Sequence, residues 1–128
     1  MAKKETYQPT DAELEILNIL WEKQPASVRE IHEQIMLAKD VGYTTVLKQV
    51  QRLTEKEVLV KEIVDGVHQY STAVKENDVK SALANRVLTT TFGGSALQMM
   101  MHALGGQKTS KSELEALKNW LDQQIDKK

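Results

Sequence analysis

The sequence lacks cysteine and any long apolar run, and both absences narrow what the protein can be. With no cysteine among 128 residues, disulfides, thiolate chemistry and cysteine-ligated metals are excluded. No apolar run approaches the roughly 20 residues that span a bilayer, and residues 1–9 are polar, without the apolar middle of a signal peptide. We therefore expect a cytoplasmic protein that does not insert into membranes. Its length suits one ordinary domain, or a small domain with an oligomerisation appendage.

Motifs for catalysis and for metal or cofactor binding are missing as well. The three histidines, His32, His68 and His102, are far apart in the chain and lack the short spacing of metal ligands. There is no glycine-rich phosphate loop and no nucleophile elbow. Three consecutive methionines at positions 99–101 are better explained by adaptable packing than by a cofactor site. We expect no metal, no cofactor and no enzymatic activity.

The charge balance argues mildly against nucleic-acid binding. Domains that bind nucleic acid are usually basic, whereas this chain has a formal net charge of -1. Residues 1–72 hold 9 basic and 12 acidic side chains, whereas residues 73–128 hold 8 and 6. If the first half binds DNA, the attraction must be local to one face, and carboxylates elsewhere would weaken non-specific binding.

Residues 42–53 predict a short helix with two different surfaces. Val46, Val50 and Leu53 recur at steps of four and three, so they share one side of the helix and face a core. The opposite side projects hydroxyl, amide and cationic groups: Thr44, Thr45, Lys48, Gln51 and Arg52. No carboxylate occurs between residues 41 and 54. Such side chains can bind phosphates and base edges, as a major-groove recognition helix does, although a solvated helix face would have a similar pattern.

Two further helices are predicted before this one. Thr10 with Glu13 forms a capping box at the start of a helix over residues 11–23, and Ser27 with Glu30 forms a second box for residues 28–37. In the first helix Glu13, Glu15 and Glu22 are expected to face solvent. Three short helices joined by tight turns, the last over residues 43–56, are typical of a helix-turn-helix.

A β-hairpin is predicted directly after the third helix. Residues 58–72 are rich in β-branched and alternating side chains, and Asp65-Gly66 is the pair favoured in a type I′ turn. A hairpin in this position is the wing of a winged helix. Lys61 and His68 are its candidate phosphate contacts, but Glu62 and Asp65 oppose them, so the wing contributes either shape or a light contact.

The remaining chain predicts three apolar helices, over residues 78–90 and 96–104 and after the cap pair Ser110 and Glu113. They contain too few residues to bury their own apolar faces, and a second copy of the chain would cover them. The expected contact residues are Leu83, Val87, Phe92, Leu97, Met100, Met101, Leu104, Leu114, Leu117 and Leu121. We therefore predict a mainly α protein with a small β-hairpin: a winged helix-turn-helix domain at residues 1–73 and a helical dimerisation domain at residues 74–128. In a homodimer, two recognition helices would meet a palindromic site about 34–36 Å apart.

The candidate DNA contacts from the third helix and the wing are thus Tyr43, Thr44, Thr45, Lys48, Gln51, Arg52, Lys61 and His68. The alternative is a winged helix used for protein contact without specific DNA binding. The acidic first half and the weak wing favour it slightly, whereas the carboxylate-free face of the third helix argues against it.

Several stretches also resemble a known family. They are Pro9 to Leu17 with Leu20-Trp21, Thr44-Thr45-Val46, Arg52-Leu53, Asp65-Gly66 with Tyr70-Ser71, the break Phe92-Gly93-Gly94-Ser95, and the helix start at Ser110. On these residues the chain resembles the penicillinase-repressor family of bacterial transcription factors (BlaI, MecI and CopY). The resemblance implies a homodimeric repressor on an inverted-repeat operator in double-stranded DNA.

The resemblance also implies how repression is relieved. In the antibiotic-resistance branch a membrane-bound sensor metalloprotease triggers cleavage of the repressor, which here would fall between Val79 and Leu104. The copper branch uses a cysteine cluster, which this chain lacks. Two positions depart from the family pattern. Glu57 replaces the usual glycine after the third helix, so we expect a different helix ending, and Val67 replaces a common arginine in the wing.

Overall fold

Six helices and one β-hairpin make up the residues that the computed structural model describes, 7–106 and 108–128. In chain order they are α1 (Asp11–Glu22), α2 (Val28–Met36), α3 (Tyr43–Glu55), β1 (Leu59–Val64), β2 (Val67–Thr72), α4 (Glu76–Thr90), α5 (Ala96–Gly105) and α6 (Lys111–Asp126). This order confirms the predicted fold class. The chain divides into two compact units, one ending at Ala84 and one from Asn85 onward. The predicted domain limits, after residue 73, stay a prediction, and the first six residues of that domain lie outside the described residues.

The first unit has one apolar core, to which α1, α2, α3 and the hairpin all contribute. Burying an aliphatic side chain is worth about 1.5–3 kcal/mol, so this core supplies most of the driving force for folding of the unit. The periodicity predicted for α3 is confirmed, because its apolar stripe is fully buried. The buried side chains are Ile16, Leu17 and Leu20 of α1, Val28, Ile31 and Ile35 of α2, Val46, Val50 and Leu53 of α3, and Val58, Leu59 and Tyr70 in and beside the hairpin.

Both predicted capping boxes of the first unit form. The Thr10 hydroxyl accepts a hydrogen bond from the Glu13 backbone N–H at 3.2 Å, and the Glu13 carboxylate accepts one from the Thr10 backbone N–H at 3.0 Å. Ser27 and Glu30 make the same pair of bonds at 3.2 and 2.9 Å. These bonds satisfy N–H groups that have no partner inside the helix, and they fix where α1 and α2 begin.

The prediction that Glu13 faces solvent is wrong. Glu13 is only 7% exposed, because the chain before α1 and the end of α3 both cover it. The Tyr7 hydroxyl donates to Glu13 Oε1 at 2.9 Å, and Lys56 Nζ, just past the end of α3, lies 3.0 Å from Oε2. Glu13 therefore joins the segment before α1 to the end of α3, in addition to capping its own helix.

The expectation of a different ending for α3 is also wrong. Glu57 itself adopts the left-handed conformation, with φ 65°, that glycine usually supplies at this position. The Glu57 N–H donates to Thr54 O at 3.0 Å and the Val58 N–H donates to Leu53 O at 2.9 Å. These two bonds are the pattern of a Schellman motif. The turn directs Val58, which is buried, from the helix into the core.

The hairpin has the predicted turn. Asp65 and Gly66 both have positive φ, at 53° and 78°, as a type I′ turn requires. The strands pair antiparallel from Leu59 opposite Thr72 to Val64 opposite Val67. A short bridge adds Ala26, whose N–H and carbonyl bond to the Tyr70 backbone at 3.0 and 2.8 Å. The segment between α1 and α2 therefore holds β2 against the helices.

Trp21 fixes the chain after the hairpin to α1. Its indole N–H donates to the Val74 carbonyl at 3.2 Å, and Lys80 Nζ of α4 lies 5.7 Å from the centre of its ring. The start of α4 is therefore packed on the winged helix by a hydrogen bond and a cation–π contact. Val79 is the buried residue of α4.

The second unit contains the end of α4, α5 and α6. Ser95 and Ser110 cap α5 and α6, their hydroxyls accepting from the N–H groups of Gln98 and Glu113 at 3.1 and 3.0 Å. The Ser110 half of the third predicted box is thus present. Neither α5 nor α6 has a buried residue. Among the residues that the structure describes, no helix combines the length and hydropathy needed to cross a bilayer.

Candidate nucleic-acid interface

The outer side of α3 presents the groups that the sequence predicts. Its first-turn threonines, its two cations and its amide side chain are all exposed: Thr44, Thr45, Lys48, Gln51 and Arg52. The first carboxylate of the helix is Glu55, in its last turn. Because the opposite side of α3 is locked into the core, this surface has a fixed orientation and a local excess of positive charge in an acidic unit.

Tyr43 begins α3 and stands at the edge of this surface, 46% exposed. Its ring meets the His32 ring edge-on, with 5.6 Å between the ring centres. The Val41 carbonyl lies 2.7 Å from His32 Nε2, and since a carbonyl can only accept, this nitrogen carries the proton. His32 therefore has a structural role, holding the turn before α3 and the ring of Tyr43 together.

The amides at the start of α3 have no side-chain cap. The N-cap residue is Gly42, which has no side chain to accept their hydrogen bonds. Helix N-termini attract anions, because the N–H groups and the helix dipole point the same way. This end of α3 is therefore suited to a phosphate, next to Thr44 and Thr45.

The register of the hairpin sorts the wing residues by face. Lys61 pairs with Tyr70 and His68 pairs with Ile63, so with the alternation of a strand all four lie on the face that Tyr70 turns to the core. Glu62 pairs with Gln69 and lies on the other face. The two predicted wing contacts thus share one side of the hairpin, and the nearest strand carboxylate points away from them.

A cleft of about 420 Å³ separates the hairpin from α2 and α3. It brings His68 of the wing close to Tyr43 of α3, but Lys61, Lys48 and Arg52 do not line it. Its lining residues are Ser27, Val28, Arg29, Tyr43, Leu47, Gly66, Val67, His68 and Tyr70. Burial raises the pKa of Tyr70, and its electrostatic interaction with the nearby phenol of Tyr43 adds to the rise. None of the lining residues is acidic.

Arg29 lies beside the cleft but is not among the candidate DNA contacts that the sequence predicts. It is the second residue of α2, and its side chain is mostly exposed at the rim of the cleft. The signal was present: in a helix-turn-helix the helix before the reader crosses the DNA backbone, so a cation in its first turn is a candidate contact. Among the described residues, no cluster of three or more histidine, aspartate or glutamate side chains could hold a metal ion.

The predicted dimerisation residues lie at different depths. Leu83 belongs to the first unit, and Val87 lies in the second unit's share of α4, which begins at Asn85. Phe92 is partly covered, its ring 5.4 Å from that of His102. Leu104 and Leu117 are half-buried. The others are exposed apolar side chains: Leu97, Met100, Met101, Leu114 and Leu121.

Three helices, a hairpin after the third and the exposed polar side of α3 define a winged helix-turn-helix protein of the DNA-binding class. A sequence model of the penicillinase repressor family matches residues 9–123, and the chain belongs to that family. The family is one of transcriptional repressors and not of enzymes.

Known proteins similar to the chain agree with this family. It is 29% identical to the penicillinase repressor of Staphylococcus aureus over 111 residues, 87% of this chain and 88% of that protein. It is 28% identical to the methicillin resistance regulatory protein MecI of Staphylococcus aureus (strain N315) over 117 residues, 91% of this chain and 95% of the relative. The solution structure of monomeric Bacillus licheniformis BlaI in complex with the blaP half-operator matches with a TM-score of 0.52 at 24% identity, covering 59% of this chain and 93% of that one. The last likeness shows the winged-helix fold.

Proposed function

We propose that the protein is a cytoplasmic, homodimeric transcriptional repressor that inserts α3 into the major groove of each half of an inverted-repeat operator. The observation that carries this proposal is the exposed side of α3, which holds hydroxyls, an amide and two cations and no carboxylate before its last turn. Three similar proteins support it: one named as a penicillinase repressor, one named as a regulatory protein, and a similarly folded monomeric BlaI in complex with a half-operator.

Each exposed residue of α3 before its last turn has a role in this proposal. Thr44 and Thr45 meet a phosphate or a thymine methyl beside the uncapped amides at the start of the helix. Lys48 and Arg52, one turn apart, bind guanine edges or phosphates. Gln51 is a weaker base contact. At the edges of the helix, Tyr43, His68 and Lys61 contact the backbone.

The homodimer is supported by the second unit. Its helices α5 and α6 have no buried residue, yet they carry several large apolar side chains that are exposed to solvent, as is typical of an interaction surface. A second copy of the chain would cover them and would place two α3 helices on one palindrome.

Repression is proposed to be relieved by cleavage of this protein, triggered by a membrane-bound sensor metalloprotease. It rests on the family resemblance, which implies a cut between Val79 and Leu104. The exposed break at Gly93 and Gly94 between α4 and α5, where both residues have positive φ, offers accessible chain in that range.

The test is an operator titration of Arg52→Ala against the DNA upstream of the protein's own gene, with a shuffled duplex as competitor. If Arg52 reads a guanine, binding weakens by about 1–3 kcal/mol at each of two salt concentrations. If it holds a phosphate, the slope of log affinity against log salt falls by about 1. The matched control is Lys23→Ala, which removes one exposed cation at the end of α1.

Two results would count against the proposal. Unchanged affinity of Arg52→Ala at both salt concentrations would remove Arg52 from the interface. Absence of any shift by the wild-type protein at low salt would favour a winged helix used for protein contact.

A further inference from the structure

We propose that the cleft between α2, α3 and the hairpin binds a DNA backbone phosphate through Arg29, and that Glu33 on the next turn of α2 is a counter-charge that weakens this contact. The inference rests on the proposed function and adds to it a phosphate site outside the reader helix. In addition, Glu33 lowers the affinity of this site for phosphate.

The chemistry of the cleft carries the first step. Its lining residues include Arg29, Tyr43 and His68, whose side chains can each donate a hydrogen bond, and none of its lining residues is acidic. Ser27 is already used, because its hydroxyl caps α2 through Glu30 N–H. Arg29, Tyr43 and His68 thus come from α2, α3 and the hairpin to line one space of about 420 Å³. In a unit with more acidic than basic residues, this is a local setting for an anion.

The position of Glu33 carries the second step. Its Oε2 lies 3.3 Å from Arg29 Nε, which occupies one of the five N–H donors of a guanidinium. Glu33 itself lines a separate groove beside α1 and α2, where three glutamates, Glu22, Glu30 and Glu33, outnumber one lysine, Lys23. Arg29 thus stands between an acidic groove and a cleft without acidic residues, and Glu33 draws it toward the groove.

The Arg29–Glu33 pair is weak enough to be displaced. Both side chains are mostly exposed, at 82% and 61%, and exposed pairs four residues apart on a helix contribute little and are screened by salt. A phosphate offers the same guanidinium a charge-assisted and often bidentate contact. DNA in the cleft would therefore compete successfully for Arg29, at the cost of breaking the pair.

Salt-dependent binding of the full-length protein to the upstream duplex tests both steps. Arg29→Ala should lower the slope of log affinity against log salt by about 0.9, so that its affinity relative to wild type changes about 3.5-fold between 50 and 200 mM salt. Glu33→Gln should raise affinity about twofold at the lower salt concentration, since it removes the pair. In the Arg29→Ala background, Glu33→Gln should have no effect.

Matched variants separate these effects from changes in net charge. Lys23→Ala loses one cation as Arg29→Ala does, and Glu22→Gln loses one carboxylate of the same groove as Glu33→Gln does. Both are expected to leave the affinity and the slope as in wild type. Thermal unfolding of each variant checks that the fold is intact.

The outcomes distinguish this inference from the proposed function. An unchanged slope for Arg29→Ala, in a wild-type protein that prefers the upstream duplex to a shuffled one, overturns the phosphate site and leaves the repressor proposal standing. A gain from Glu33→Gln that persists without Arg29 overturns the counter-charge. A wild-type protein with no preference between the two duplexes overturns the proposed function itself.

Discussion

At the scale of single residues, Glu13 shows how one carboxylate can serve several parts of a small fold. Burial by itself raises its pKa. Hydrogen bonds from the Thr10 backbone, Lys56 and Tyr7 and the charge of Lys56 outweigh burial and hold the pKa of Glu13 below its usual value. Its partner responds in the opposite sense: burial, then the hydrogen bond to Glu13 and its charge, raises the pKa of Tyr7 well above the ordinary range. The charged carboxylate is therefore the form that the fold stabilises.

We predict that Glu13→Gln lowers the free energy of unfolding by about 1–3 kcal/mol at neutral pH, because the contact with Lys56 loses its charge. Since the folded pKa of Glu13 is lowered, its contribution is present above the unfolded pKa, near 4, and is lost as the pH falls through the folded pKa. The difference between wild type and variant should thus shrink in acid. Urea unfolding over a pH series measures it.

The matched control is Glu22→Gln, an exposed carboxylate on the same helix. Its effect should stay within about 0.5 kcal/mol throughout the series. A Glu13→Gln difference that does not vary with pH would contradict the assignment of this stability to the charged carboxylate.

At the scale of elements, α3 depends on its two ends. Its start is left without a side-chain cap by Gly42, at the place where a phosphate would bind. Its end uses Glu57 in the left-handed conformation, which costs an L-residue free energy that glycine does not lose. The proposed recognition helix is therefore strained at the end that leads into the hairpin.

We predict that Glu57→Gly raises the free energy of unfolding by about 1 kcal/mol, because glycine adopts positive φ without steric cost. Thermal and urea unfolding measure the change. The control is Glu55→Gly, inside the last turn of α3, which should destabilise by about 0.5–1 kcal/mol. If both glycine variants destabilise equally, the left-handed ending is not the source of strain.

At the scale of the whole molecule, the two units differ in how far each can stand alone. The first unit has one continuous core, to which residues of α1, α2, α3 and the hairpin all contribute. In the second, the described residues of α5 and α6 include none that is buried. The second unit is therefore the part of the chain that most needs a partner, which the proposed homodimer supplies.

We predict that Leu97→Glu, on α5, raises the dissociation constant of the homodimer at least about tenfold, because it places a charge where a leucine worth about 1.5–3 kcal/mol would be buried. Sedimentation velocity over a range of protein concentrations measures this constant. The control is Leu37→Glu in the first unit, where leucine is 81% exposed against 67% for Leu97.

Leu37→Glu should leave the oligomeric state unchanged although its leucine is the more exposed of the two. A wild-type chain that stays monomeric at every concentration would overturn the homodimer. Equal effects of the two variants would mean that the apolar face of α5 is not the contact.

Much of the fold follows from local sequence. The stripe of Val46, Val50 and Leu53 predicted the buried side of α3, and so left Lys48 and Arg52 outside. Asp65-Gly66 predicted a turn whose two positive φ values the structure has. Such features depend on residues a few positions apart, where helical period, capping and turn chemistry act.

Features that join distant segments could not be predicted this way. Whether Glu13 is buried depends on Lys56, 43 residues further along the chain. The conformation of Glu57 is set by the buried Val58 that follows it, since the core fixes where the chain must go next. The cleft that Arg29 shares with His68 exists only because the hairpin folds beside α2. The sequence by itself therefore determined the elements and the outward face of α3, and the tertiary structure decided which charged groups meet, because packing brings together residues that no local pattern connects.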